Sequence, residues 1–309
     1  MMWEKKGKIF SLNDLKIDWM ESHTQVPVAL LLENGDIRLY FNSRYRGKTL
    51  PTYVELEKDT YKIKHINEKP LLELGRPGTF DDSGVMASCV VQNCDKMYMY
   101  YIGWNQQVTV SYQNSIGLAV STDGGKTFSK YSEGPVWGRN LVEPIFTASP
   151  WVIKLGDAWI MYYLSCEEWI QGEEKMEPVY NIKYALSDDG IVWTAPPNNI
   201  CIGGKDEAIS EPCVIFDNGR YEMWYSVRKT LDYRTNRNNT YRIGYAESAN
   251  GIVWERKDQD VGITLSEKGW DSEMMTYANV IDLGTEKVMF YNGNGFGRSG
   301  IGYAVSKER

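Results

Sequence analysis

One hairpin motif recurs along the chain, and it constrains the fold more than any other feature. It runs Ile116–Phe128 (IGLAVSTDGGKTF), Ile182–Trp193 (IKYALSDDGIVW) and Ile243–Trp254 (IGYAESANGIVW), and a truncated copy, Ile301–Ser306 (IGYAVS), comes near the C-terminus. Each full copy reads as an alternating strand, a turn containing Asp-Gly or Asn-Gly, and an aromatic residue opening the next strand. Asp-Gly and Asn-Gly between alternating segments are strong hairpin signals, because those residues tolerate the positive φ that tight turns require.

Upstream of each copy lies a further pair of strand-like runs. The five pairs begin at Val26 and Asp36, Val85 and Lys96, Pro150 and Ala158, Pro212 and Tyr221, and Ala278 and Lys287. Units of four short strands repeating roughly every 60 residues point to radial stacking of four-stranded sheets. The expected fold is therefore all-β: a single five-bladed β-propeller spanning residues 1–309. Its blades would lie at roughly 22–70, 80–135, 143–200, 208–260 and 271–309. The first copy is degenerate, with Tyr53–Tyr61 standing in for the motif, and the fifth lacks its last strand. Met2-Trp3-Glu4-Lys5-Lys6 resembles Val253-Trp254-Glu255-Arg256-Lys257. Residues 1–10 are thus expected to complete the last blade and close the ring, which would remove an exposed sheet edge.

Composition narrows the function. The 11 Trp and 21 Tyr suit strand surfaces and also stack on sugar faces. A net charge of −7 argues against a nucleic-acid partner, and no apolar run is long enough for a membrane span. The first residues lack the apolar run of a secretory signal, so a cytoplasmic location is the default expectation. Five cysteines without a C-x-x-C spacing read as free thiols. Two histidines, His23 and His65, exclude a His-rich metal site and leave little material for Ser-His-Asp chemistry. No metal or cofactor is expected. The turn residues Asp123, Asp189 and Asn250 read as turn chemistry.

In a propeller, the start of each innermost strand and the end of the second strand lie at one end of the ring, where a pocket should form. The candidate acids there are Glu211, Asp82, its neighbour Asp81, Glu143 and Glu273. The candidate ligand contacts are His23, Gln25, Arg44, Trp104, Asn105, Ser149, Trp169, Arg228, Tyr277, Asn292 and Arg298. Carboxylates accept from hydroxyls, aromatics stack on sugar rings, and Arg holds a phosphate or carboxylate in a fork.

The Ser-x-Asp-Gly-x-x-Trp hairpins, and the acid-Pro pair Glu211-Pro212 before an inner strand, resemble the five-bladed propeller superfamily of glycoside hydrolase families 32, 43, 62, 68 and 130. The resemblance implies a carbohydrate-active enzyme. Families 32 and 43 carry acids in blades one, three and four; Glu211 matches the last, while Gln25 and Ser149 stand at the other two. The mannoside phosphorylases of family 130 resemble the chain in an acid of blade two, here Asp82 or Asp81. They use one protein acid and inorganic phosphate, for which Arg44, Arg228 and Arg298 could supply cations. A glycosidase or phosphorylase-like activity is expected, with a carbohydrate or sugar-phosphate ligand and a monomer or homodimer. The alternative is a non-catalytic sugar-binding propeller associated with glycan or polysaccharide biosynthesis.

Overall fold

The computed structural model describes residues 2–306. It is all-β, with two four-residue helices, and no helix among the described residues is long and apolar enough to cross a membrane. Three sheets have four strands. One comprises β10 (Thr147–Leu155), β11 (Ala158–Gln171), β12 (Met176–Ser187) and β13 (Ile200–Ile202). A second comprises β14 (Glu207–Asp217), β15 (Arg220–Lys229), β16 (Arg242–Ser248) and β17 (Glu255–Arg256). The third joins the N-terminal β1 (Glu4–Phe10) to β20 (Ile301–Ser306), β19 (Lys287–Asn292) and β18 (Thr276–Asp282).

The remaining sheet has eight strands. One half is β2 (Ser22–Leu31), β3 (Ile37–Tyr45), β4 (Lys48–Leu56) and β5 (Ile63–Ile66). The other is β6 (Gly84–Asn93), β7 (Lys96–Gln106), β8 (Tyr112–Ser121) and β9 (Ser129–Lys130). The halves meet through one parallel pairing, Thr49 with Gly84, whereas every pairing within a half is antiparallel. The first strands pack in series: β2 on β6, β6 on β10, β10 on β14, β14 on β18 and β18 on β2.

The repeat motif explains how successive units lock together. In the turns, the side chains of Asp123, Asp189 and Asn250 each accept backbone N–H bonds from two residues beyond the turn glycine. Gly124, Gly190 and Gly251 adopt positive φ there. Each turn is then held from the preceding unit. The Tyr40 hydroxyl donates to the carbonyl of Gly125, Tyr100 to Gly190 and Tyr162 to Gly251. These three tyrosines are fully buried, so each hydroxyl needs such an acceptor.

The next residue along each second strand makes a different link, within its own unit. Tyr101 donates to Asp81, which pairs with Lys130; Tyr163 donates to Glu143, which pairs with Lys183. Tyr225 donates to Asp258, paired with Arg256, and Tyr291 to Asp271, paired with Lys5. The corresponding residue of β3 is Phe41, which needs no acceptor and packs edge-on against Phe10 at 5.3 Å. Phe10, which ends β1, and Trp3, just before it, are buried in separate cores: Phe10 packs with Phe41 and Phe290, and Trp3 sits against Trp224.

Candidate functional site

The first strands share an irregularity that builds the site. In β2, β10, β14 and β18 the antiparallel register breaks over two residues, and the first of each two has positive φ: Val26 (54°), Ser149 (49°), Glu211 (49°) and Tyr277 (58°). In β6 the break leaves out Ser88. Non-glycine residues in this region are strained by about 1 kcal/mol or more. Three of the four stand before proline, which disfavours the helical alternative. A bulge re-aims its side chain out of the regular alternation. Val26, Ser88, Glu211 and Tyr277 consequently line one narrow channel between the first strands.

A cavity of about 310 Å³ shares Glu211 and Tyr277 with this channel. Glu211 and Ser149 lie in its wall with Gln25, Ser210 and Asn114, and Trp104, Tyr112, Tyr180, Tyr241, Tyr277, Phe146 and Phe296 supply rings. Arg44 is its cation. Among the described residues, Glu211 is the one carboxylate that lines it. Burial pushes the Glu211 carboxyl up to about 7, partly offset by the hydrogen bond that Ser149 Oγ donates to Oε1 at 2.7 Å. Near neutral pH the group therefore exists in both proton states, the condition for a general acid. Burial also holds the Tyr277 hydroxyl well above its ordinary range.

Five of the residues expected at the site meet in this cavity besides Glu211: Gln25, Arg44, Trp104, Ser149 and Tyr277. One alignment needs correction. The residue of β2 equivalent to Ser149 and Glu211 is Val26, and Gln25 lies one position earlier. The two-residue bulge hides this offset from sequence spacing.

Other candidates lie elsewhere. Asp81 and Glu143 are 1% exposed and belong to the tyrosine–acid–cation links, because they precede their strands by three or four residues and point back to the outer strands. Asp82 caps a turn, accepting from the Gly78 N–H and the Ser83 hydroxyl, each at 2.9 Å. Glu273 is exposed, its backbone tied to Asn294 and Arg242. Asn292 is fully buried and clamps β19 to the Thr24 carbonyl and the Val26 N–H. Asn105 donates to the Thr79 carbonyl. Trp169 packs behind the wall on Tyr112 and Phe146. Arg228 sits behind Tyr180 and Tyr241. His23 is buried beside the arginines, its pKa lowered to about 4 by burial and by the charges of Arg44 and Arg298. Arg298 is exposed. Tyr112, Asn114, Tyr180, Tyr241 and Phe296 escaped the sequence reading. Tyr180 sits at the fifth residue of β12, Tyr241 just before β16 and Phe296 in the short helical turn Asn294–Gly297 after β19, all away from the starts of the first strands.

No family model matches the chain. Two proteins of Mycobacterium tuberculosis strains, the uncharacterized proteins MT1551 and Rv1502, are each 36% identical to it over 310 residues, covering 99% of both chains. The chain belongs to their family. The fold of this family is that of propeller glycoside hydrolases. A solved glycoside hydrolase superposes with a TM-score of 0.76 at 14% identity, covering 99% of this chain and 92% of the other. A thermostable family-43 glycoside hydrolase gives 0.66 at 18% identity, over 93% and 89% of the two chains. A GH32 β-fructofuranosidase of Bombyx mori, solved with sucrose, gives 0.61 at 16%, over 92% of this chain and 61% of its own.

Proposed function

We propose that the protein is a carbohydrate-active enzyme in which Glu211 is the general acid and the attacking group comes from solution. Dividing the eight-stranded sheet at its single parallel bridge leaves five four-stranded blades. The cyclic packing of β2, β6, β10, β14 and β18 supports a closed five-bladed ring with the cavity at one end of its axis. The pairing of β1 with β20 supports closure by the N-terminal strand. Five free thiols suit a reducing, cytoplasmic setting.

The observation that carries the reading is a single cavity carboxylate with a pKa about 7, set among aromatic rings. Both direct hydrolytic mechanisms need a second carboxylate, and Val26 and Ser149 stand at the other bulges where one could sit. Protonated Glu211 would give its proton to the glycosidic oxygen as the bond to the anomeric carbon breaks. An oxygen of inorganic phosphate, already an anion at neutral pH, would bond to that carbon, and Glu211 would regain a proton from solvent. Arg44, the cation in the cavity wall, supports the entry of an anion such as phosphate.

The test is a screen of aryl glycosides with and without inorganic phosphate, run with the parent protein and Glu211→Gln. Phosphate-dependent release of sugar 1-phosphate, lost in Glu211→Gln, is the expected result. Turnover that survives Glu211→Gln would overturn the assignment. The absence of carboxylates at the other bulges also favours a second reading, a pocket that binds sugar without turnover. Saturable binding with no product in either condition would select it.

A further inference from the structure

Arg228 is a buried cation without a counter-charge. It is 2% exposed. Its Nε donates to the hydroxyl oxygens of both Tyr180 and Tyr241, each at 3.2 Å. Nη1 donates to the carbonyls of Lys229 and Thr230 at 2.8 and 3.0 Å, and Nη2 to that of Pro178 at 2.9 Å. The Tyr233 ring lies 3.7 Å from its central carbon. Every one of these partners is neutral. The nearby carboxylate, Glu177, is taken by Arg234 and by the Tyr233 hydroxyl. Among the described residues no carboxylate pairs with Arg228. Buried charges are ordinarily paired, since a guanidinium taken from water without an anion is expensive even when fully hydrogen-bonded.

The cavity lies on the other side of those two tyrosines. Their hydroxyls are 2.5 Å apart, so one proton lies between them. Both oxygens already accept from Arg228. The pair's second proton has no acceptor among the described residues, and the cavity is where one can be met. Arg44 also lines the cavity and makes no ion pair among the described residues. His23 registers the same positive field, held neutral by burial together with Arg44 and Arg298. Thus a chain of net charge −7 lines its cavity with uncompensated positive charge and one carboxylate.

We infer that the sugar this cavity receives itself carries an oxyanion, a carboxylate or a phosphate ester, bound by the Tyr180–Tyr241 hydroxyl pair backed by Arg228 and by Arg44. The inference rests on the carbohydrate reading of the site and names its substrate class. The oxyanion would accept the free tyrosine proton and supply the charge that Arg228 lacks.

Calorimetry on the Glu211→Gln protein tests this without turnover. The probes are the uronic acids and 6-phosphates of glucose, galactose and mannose, the three neutral sugars, and inorganic phosphate. At least one charged sugar should bind roughly tenfold or more tighter than its neutral parent, the scale of a hydrogen bond to a charged group. The preference should shrink as salt rises. Whether uronate or phosphate ester binds identifies which oxyanion is used. Arg44→Gln, at an exposed residue that should fold normally, and the double variant Tyr180→Phe/Tyr241→Phe should each reduce the preference. Equal binding of charged and neutral sugars, binding of inorganic phosphate alone, no binding of any charged sugar, or a preference unchanged in both variants would overturn the inference. An enzyme that turns over neutral glycosides would keep Glu211 as its acid and lose this substrate class, so the two readings fail separately.

Discussion

Replacing Glu211 by Gln should flatten the pH dependence of stability, and the size of the effect follows from the site. Burial raises this carboxyl from 4.5 to about 7 in the folded protein. A group whose folded pKa is raised holds its proton longer when folded, so its stabilising contribution is complete below pH 4.5 and is lost as pH rises through about 7. The gap corresponds to about 3 kcal/mol, an upper bound because the residue is partly exposed. Gln keeps the shape and can still accept from Ser149 Oγ, and it carries no charge at any pH. Urea unfolding followed by tryptophan fluorescence, from pH 5 to 8.5, would measure both proteins. The parent should lose up to about 3 kcal/mol relative to Glu211→Gln across that interval. His23 acts in the opposite sense. Its folded pKa, lowered to about 4, favours folding as pH rises from about 4 to 6.5, but it is present in both proteins and cancels in the difference. Parallel curves for parent and variant would refute the claim that Glu211 is buried in its acid form. If Glu211 is the proton donor, kcat/KM should also fall on the alkaline side with a midpoint near 7.

Three further perturbations separate scaffold from site. Asp82→Asn should leave ligand binding and turnover intact and lower stability by about 1 kcal/mol, read from urea midpoints, because its side chain only caps a turn. Asp271→Ala should cost about 3 kcal/mol, since it removes both the counter-charge of Lys5 and the acceptor of the buried Tyr291 hydroxyl; a Tm equal to the parent's would count against the link. Deleting residues 2–10 removes Trp3 and Phe10 from two cores and bares the edge of β20, so size-exclusion chromatography should show aggregation. A monomer with unchanged melting would contradict that role for β1.

Local signals carried much of the architecture. The Asp-Gly and Asn-Gly turns form where their residues demand positive φ, and the alternation around them marks strands whose period of two needs no distant partner to be read. The likeness of Met2-Trp3-Glu4 to Val253-Trp254-Glu255 marked the segment that pairs with β20. Glu211 could be found because proline follows it, a local constraint that accompanies the bulge. The sorting of the remaining acids depended on tertiary structure. Asp81, Glu143 and Asp271 look alike in sequence, each standing shortly before an inner strand. They are drawn to lysines that only folding brings near, as Asp271 is to Lys5 at the opposite end of the chain. The cavity's Tyr180 and Tyr241 come from β12 and from the approach to β16, and Arg228 lacks a counter-ion only because of what surrounds it in three dimensions. The reason is physical. Turns and strand alternation are set by backbone sterics within a few residues, whereas the charge state and partners of a buried group are set by burial and by neighbours from distant parts of the chain.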